Sequence, residues 1–199
     1  MEGKMNPKIY AIFSKKGDNK YRNSTELIYN SQNVNSGIIL MLNPGGCKPS
    51  DPNMVITETP TKHLCNSDNI LDLVIKWLPR FYKKSGKDLP HKVFIINLCD
   101  KIDREPNNLR AIDFNKDVQK IEEEIEKVIK NNNINWFWAA YGSNQNVPSK
   151  LKSDLPSLHK KYKEILIGNS VNFGHPGRKR REYWKNVFAE FIEKINNSQ

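Results

Sequence analysis

The chain has 199 residues, of which 37% are hydrophobic and 27% are charged. This length favours one domain with a sizeable core, and the apolar content, although low for a globular protein, is far from that of a disordered chain. The 32 Lys and Arg residues outnumber the 22 Asp and Glu residues, and the resulting charge of +10 attracts polyanions such as nucleic acid, although a Lys-rich surface also serves solubility alone.

The three cysteines, Cys47, Cys65 and Cys99, form no C-x-x-C pair. An odd number without paired spacing argues against a disulfide framework and against a four-cysteine metal centre, so we expect neither a metal nor a cofactor. The first residues, MEGKMNPK, lack the apolar core of a signal peptide, and no apolar run approaches the length of a membrane span. We therefore expect a reduced, cytoplasmic protein without membrane contact, of unspecified oligomeric state.

The first third of the chain is predicted to consist of strands and loops. Residues 8–30 alternate loosely around a turn, which is typical of a β-hairpin or a small meander. The apolar run at residues 38–42 is too short for a typical helix and ends abruptly in the sequence NPGG, so it predicts a strand buried on both faces. Residues 47–66 have no clear period and contain three prolines, and we expect them to form a loop that covers the site.

The rest of the chain alternates between helices and strands. Predicted helices cover residues 67–84, 115–130, 155–163 and 182–195, and predicted strands cover residues 92–98, 134–140 and 164–168. This alternation implies right-handed crossovers and a parallel sheet covered on both faces. The sequence therefore predicts one α/β domain over residues 1–199: a three-layer α/β/α sandwich with a central, mostly parallel four-stranded sheet and an appended N-terminal β-hairpin within residues 1–36.

Four predicted strands end in, or soon reach, a short polar or Gly-containing motif. These motifs are Asn43-Pro44-Gly45-Gly46, Asn97-Leu98, Tyr141-Gly142-Ser143 and Phe173-Gly174-His175-Pro176-Gly177. The carboxyl ends of parallel strands lie at one edge of a sheet, which is where open α/β sheets bind ligands. We therefore expect these residues to converge on one site.

The order of these motifs, LNP, DP, NL, YG and GHP, resembles a bacterial family, the domain of unknown function 1643. The resemblance covers roughly residues 37–180, and the family's Trp-Gly strand end is replaced here by Tyr141-Gly142. Tyr141 and Gly142 are candidates for substrate contact, and the alternative is that they only end a strand.

The same layout is similar, more remotely, to the uracil-DNA glycosylase superfamily, whose mismatch-specific branch carries an Asn-Pro-Gly motif at its first strand exit. This resemblance implies that Asn43 positions the attacking water, with Pro44 and Gly45 beside the substrate. It also implies that Asn97 reads the edge of a base. The pair His175-Pro176 would contact the departing base and the DNA backbone.

Cleavage of an N-glycosidic bond passes through an oxocarbenium-like state and requires a positioned water and stabilisation of the departing base. Asp51, if its loop folds back, is a stronger general base than an amide. Asn97 has the donor and the acceptor that a pyrimidine edge requires, and His175 would donate a hydrogen bond to an oxygen that gains negative charge. Phosphates would be held by the basic run Arg178, Lys179, Arg180 and Arg181.

Three functions remain open at this point. The first is a nucleobase-directed N-glycosylase-like hydrolase that acts on nucleic acid, most simply DNA, with a role in DNA repair. The sequence departs from a glycosylase in having no stacking aromatic shortly after Asn43, and the second function is a nucleic-acid-binding module that has the fold without catalysis. The third is an enzyme that uses the same pocket for a small nucleotide or nucleoside.

Overall fold

A computed structural model describes residues 6–29, 31–142, 146–167 and 181–197. Its strands are β1 (Lys8–Lys16), β2 (Asn19–Ile28), β3 (Asn35–Met41), β4 (Thr61–Leu64), β5 (Lys92–Asn97), β6 (Asn133–Ala139) and β7 (Leu166–Ile167). Its α-helices are α1 (Asn69–Ser85), α2 (Val118–Asn131), α3 (Ser149–Lys161) and α4 (Arg181–Asn197). Within these ranges no helix combines the length and the apolar character that a membrane crossing requires.

The strands form one mixed sheet of seven strands in the order β4-β1-β2-β5-β3-β6-β7. Strands β5, β3, β6 and β7 pair in parallel, whereas β4, β1 and β2 pair antiparallel, as does β2 with β5. The α/β class is confirmed, but the predicted four-stranded sheet is too small. The N-terminal hairpin is not an appendage, because β2 continues the sheet by pairing with β5, with Thr25 opposite Ile95.

Part of the predicted loop over residues 47–66 is also sheet. Strand β4 lies at the sheet edge beside β1, with Tyr10 opposite Leu64, and Pro49 forms an isolated bridge with Cys65. The three prolines of this segment hide the strand from pattern analysis. An edge position tolerates such a short strand because only one side of it has to pair.

The helices cover both faces of the sheet, and the alternation of β3 shows how. Ile39 and Met41 lie in the core beneath α1 and α4, whereas Ile38 and Leu40 lie in the core beneath α2 and α3. All four side chains are at most 3% exposed, which explains why β3 is a continuous apolar run. The predicted burial of this strand on both faces is confirmed.

Helix α1 begins and ends as its sequence indicates. Asp68 caps its first turn, and Gly86, with φ of +70°, closes its last turn in the left-handed conformation. Pro79 does not end the helix, which continues to Ser85 because one face, including Leu78 and Phe81, is buried against the sheet. Helix α3 likewise runs through Pro156 and begins at Ser149, six residues earlier than position 155 of the prediction.

A close contact between the sheet and α1 fixes the position of that helix. A Cβ placed on Gly37 of β3 would lie 2.1 Å from ring atoms of Trp136, so only glycine admits the indole there. The buried Trp136 Nε1 donates a hydrogen bond of 2.7 Å to the hydroxyl of Tyr82 on α1. This contact holds the helix whose first turn borders the candidate site.

Candidate functional site

A cavity of about 600 Å³ lies at the carboxyl end of β3. The loop after β3 and the first turn of α1 form two of its walls, and Arg22 of β2 together with Arg104 and Glu105 completes them. Its volume is in the range of sites for small ligands, and its place is where parallel strands of an α/β sheet bind them. This cavity is the candidate functional site.

Asn43 lines the cavity, as its position after β3 predicts. The side chain is half-buried, and its Nδ2 donates a hydrogen bond of 2.8 Å to the backbone oxygen of Asp103. This bond ties the loop after β3 to the loop that carries Arg104 and Glu105. It also fixes the orientation of the amide, which a group that positions a water molecule requires.

Asp68 and Glu105 are the two carboxylates that line the cavity, and the two side-chain oxygens of Asp68 make different contacts. Oδ1 accepts hydrogen bonds from the backbone nitrogens of Ile70, at 3.0 Å, and Leu71, at 2.9 Å, and thereby caps α1. Oδ2 lies against Gly45, where an added Cβ would be 2.6 Å from it. Gly45 has φ of +62°, so both its conformation and its neighbour require glycine.

Arg22 forms the inner wall of the cavity although it is only 1% exposed. The register of β1 and β2 shifts between Ile12 and Phe13, which places Arg22 opposite Phe13, whose ring lies in the core on the α1 side. A one-residue shift exchanges the faces of a strand, so this irregularity accounts for a buried arginine in a polar segment.

The guanidinium of Arg22 is incompletely paired. Its Nη1 lies 3.9 Å from Asp68 Oδ2, and neither Nε nor Nη1 donates a hydrogen bond to any described residue. The Cys47 thiol is its other polar neighbour, and the pKa of that thiol is lowered, first by a hydrogen bond with Cys65 and further by the charge of Arg22 and a hydrogen bond with it. Burial of a cation without full pairing is costly, so Arg22 calls for a functional explanation.

Asn97 ends β5 beside the cavity. It pairs in register with Met41, which lines the cavity, and the two strands stay together beyond this point through a bond of 2.9 Å from Leu98 N to Met41 O. Asn97 is fully buried, and its side-chain oxygen and nitrogen have no hydrogen-bond partner among the described residues. Its amide therefore retains both the donor and the acceptor that recognition of a base edge needs.

Other predicted site residues lie elsewhere. Asp51 is exposed, accepts a hydrogen bond of 2.9 Å from the backbone nitrogen of Asn53 and does not line the cavity. Pro44, in the loop after β3, is buried and does not line the cavity, and Gly142 follows β6 with φ of +69°. The structure thus gives the predicted base Asp51 a role in a surface turn, because its side chain caps the turn that Pro52 begins.

Tyr141 lies in the core between the sheet and α3, not in the cavity. Its hydroxyl is 3.1 Å from Nε2 of His159, and the two rings stack at an interplanar angle of 11°. Burial raises the pKa of Tyr141 and lowers that of His159 to about 4. Tyr141 thus has a packing role in the structure.

The predicted late loop is outside the described residues. This applies to His175, Pro176, Arg178, Lys179 and Arg180. Arg181 is the first residue of α4, and its side chain is not described. Their contacts with the cavity therefore remain predictions from the sequence.

None of the four charged residues that line the cavity was predicted as a site residue: Arg22, Asp68, Arg104 and Glu105. Asp68 lies at the start of the helix predicted over residues 67–84, and its residue type, which is typical of a helix cap, is the signal that could have found it. Arg104 lies in the loop after β5, and Arg22 depends on a bulge that no sequence pattern marks. Within the described ranges no cluster of three or more His, Cys, Asp or Glu side chains is arranged to hold a metal ion.

Comparisons with protein-family models, curated proteins and solved structures give no match to this chain. A function therefore has to follow from the chemistry of the cavity.

Proposed function

We propose that this protein is a uracil-DNA glycosylase-like hydrolase that cleaves the N-glycosidic bond of a nucleobase. The observation that carries the proposal is that Asn43 and Asp68 line one cavity at the carboxyl end of β3. Helices on both faces of the sheet agree with the three-layer architecture that this superfamily has. A net charge of +10 suits a nucleic-acid substrate, with DNA the simplest choice.

Asp68 acts on the sugar and on the attacking water, and Asn43 orients that water. A carboxylate beside the anomeric carbon stabilises the oxocarbenium-like state and accepts the proton of the attacking water. Asp68 supplies that carboxylate through Oδ2, since Oδ1 is engaged at the start of α1. The amide of Asn43, held by Asp103, orients the water.

Asn97 and the late loop contact the departing base. Asn97 retains an unpaired donor and acceptor among the described residues and stands next to Met41 of the cavity wall. Side-chain shifts of the wall would open its amide to a base edge. His175-Pro176 and the basic run from Arg178 to Arg181 keep the roles that the resemblance implies, contact with the leaving base and with phosphates.

Base release tests this function. The wild-type protein is incubated with single-stranded and duplex DNA containing uracil, mismatched or alkylated bases, and with free nucleosides and nucleotides. We expect base release from at least one of these, with a loss of at least 100-fold in Asn43→Ala and in Asp68→Asn. Asp51→Asn distinguishes the two carboxylates and should retain activity. Absence of release from every substrate would refute the proposal. Loss of activity in Asp51→Asn would identify Asp51 as the general base.

A small nucleotide or nucleoside is the second candidate substrate, and a specific observation favours it. Arg22 stands at the inner wall of the cavity and is 1% exposed, so a cation lies deeper than the backbone of a polynucleotide is expected to reach. The free nucleosides and nucleotides in the same assay decide between the two substrates. Release from them at rates above those for DNA would favour the small substrate.

A further inference from the structure

We propose that Arg22 makes the inner end of this cavity a binding site for the terminal phosphate of a nucleotide. The inference rests on the proposed function for the nucleoside part of the ligand. The phosphate part stands on the surroundings of Arg22 alone, so the two can fail separately.

The first argument is the incomplete pairing of a buried cation. Arg22 is 1% exposed, yet Nε and Nη1 have no hydrogen-bond partner among the described residues. The nearest carboxylate oxygen, Asp68 Oδ2, is 3.9 Å from Nη1, which is beyond hydrogen-bond length. Since Arg stays charged at any physiological pH, an anion with several acceptor oxygens is the ligand that satisfies it.

The second argument is the charge around the cavity. The lining carries two cations, Arg22 and Arg104, and two carboxylates, Asp68 and Glu105, so it has no net negative charge that would repel an anion. Asp68 Oδ1 is committed to the backbone nitrogens of Ile70 and Leu71, which reduces its competition for Arg22. The cavity also borders the N-terminus of α1, whose dipole favours an anion.

The third argument concerns the place of Arg104 at the cavity mouth. Arg104 is exposed and lies across Gly46, where an added Cβ would be 3.1 Å from its Cγ and 3.2 Å from its Nε. The absence of a side chain at Gly46 lets the arginine lie against the loop. One arginine thus stands at the mouth and another at the inner wall, so a phosphate meets a cation on entry and at its final position.

The depth of Arg22 selects the kind of phosphate. A terminal phosphate is attached on one side only and can enter a cavity of about 600 Å³ ahead of its nucleoside. An internal phosphodiester is flanked by nucleotides on both sides and follows the protein surface. The geometry therefore points to a phosphate monoester and to a nucleotide, or a polynucleotide end, as the ligand.

The test measures binding by calorimetry to the full chain. Inorganic phosphate, nucleoside monophosphates, the matching nucleosides and oligonucleotides with and without a 5′-phosphate are compared. We expect the monophosphates to bind at least 10-fold more tightly than the nucleosides, and inorganic phosphate to compete with them. An oligonucleotide that binds only with its 5′-phosphate identifies a polynucleotide end as the source; binding of the monophosphate alone identifies the free nucleotide.

Two variants and one matched control localise the site. Arg22→Gln should weaken phosphate binding at least 10-fold, and Arg104→Gln should weaken it several-fold. Arg80→Gln removes the same charge from the exposed face of α1, outside the cavity, and should leave binding unchanged. If Arg22→Gln fails to fold, the affinity of Arg104→Gln for phosphate and the competition by phosphate in the wild type still test whether this cavity binds phosphate.

Equal affinity for nucleoside and monophosphate would overturn the inference, as would wild-type phosphate binding in a folded Arg22→Gln or in Arg104→Gln. Phosphate binding without base release from any substrate would refute the proposed hydrolase and leave the phosphate site standing. Base release without preference for a phosphate would refute the phosphate site and leave the proposed hydrolase standing.

Discussion

Gly45 lies directly against Asp68, so the loop after β3 and the start of α1 depend on each other. A Cβ on Gly45 would be 2.6 Å from Asp68 Oδ2, and the left-handed φ of +62° already disfavours any other residue. The residue that caps the helix is therefore also the one that limits the loop. The candidate site is the space that these two residues enclose with Asn43 and Arg22.

Gly45→Ala is expected to destabilise the protein more than the same change at Gly17. Both glycines have positive φ, but a Cβ on Gly17 meets nothing within 4 Å. The conformational cost of about 1 kcal/mol applies to both. Displacement of the Asp68 cap adds about 1 kcal/mol at Gly45 alone. Urea unfolding of the two variants measures the difference, and equal losses would contradict the contact.

Asp68→Asn and Asp68→Ala separate the charge of this residue from its capping role. Asn caps helices as well as Asp does, so Asp68→Asn should lose little of the capping energy, whereas Asp68→Ala should cost about 1 kcal/mol more. Both variants remove the carboxylate beside Arg22. We expect similar loss of base release in the two and different unfolding midpoints. Wild-type activity in Asp68→Asn would show that the carboxylate serves the helix only.

The sequence patterns predict part of this site and miss the rest for a physical reason. Asn43 follows an apolar run and Asp68 precedes a helical one, so local patterns suffice to place both at a strand exit or a helix start. Arg22 lies in an alternating polar segment and is buried because the register of β1 and β2 shifts between Ile12 and Phe13. A bulge depends on tertiary pairing, which single-sequence periodicity does not carry.

The same distinction applies to the fold. Both ends of β5 and the end of β3 were predicted to within one or two residues, because strands buried on both faces form continuous apolar runs. The start of β3 lies before its apolar run and was not predicted. Strand β4 was missed because its four residues, Thr-Lys-His-Leu, contain a single apolar side chain and lie near three prolines. The place of the hairpin was wrong because pairing of β2 with β5 joins segments about 70 residues apart, with Thr25 opposite Ile95.

Two buried tyrosines give a test of the contact between α1 and the sheet. Tyr82 accepts a hydrogen bond from Trp136 Nε1, and Tyr82→Phe would leave that buried donor unsatisfied at a cost of about 1–3 kcal/mol. The hydroxyl of Tyr29 has no partner among the described residues, so Tyr29→Phe should be neutral or stabilising. Denaturant unfolding compares the two, and a larger loss in Tyr29→Phe would contradict these assignments.

The carboxyl of Asp100 and the amine of Lys116 are buried in contact with each other on the α2 side of the sheet. Asp100 is 2% exposed, its Oδ1 is 2.8 Å from Lys116 Nζ, and Lys116 also lies 2.7 Å from Glu124. Burial raises the pKa of Asp100 to about 7, against the opposing pull of Lys116. Burial shifts the pKa of His159 in the opposite direction and lowers it to about 4.

These two groups predict pH dependences of opposite sign. Between pH 4 and 7 folded Asp100 holds a proton that the unfolded chain has released, so its contribution to stability falls as pH rises. Between pH 4 and about 6.5 unfolded His159 binds a proton that the folded state excludes, so its contribution rises with pH. Asp100→Asn should therefore remove a contribution to the unfolding free energy that decreases as pH rises. His159→Gln should remove a contribution that increases as pH rises. Urea unfolding at pH 4, 5, 6 and 7 measures each variant against the wild type, and differences of the same sign would show that burial does not control both groups.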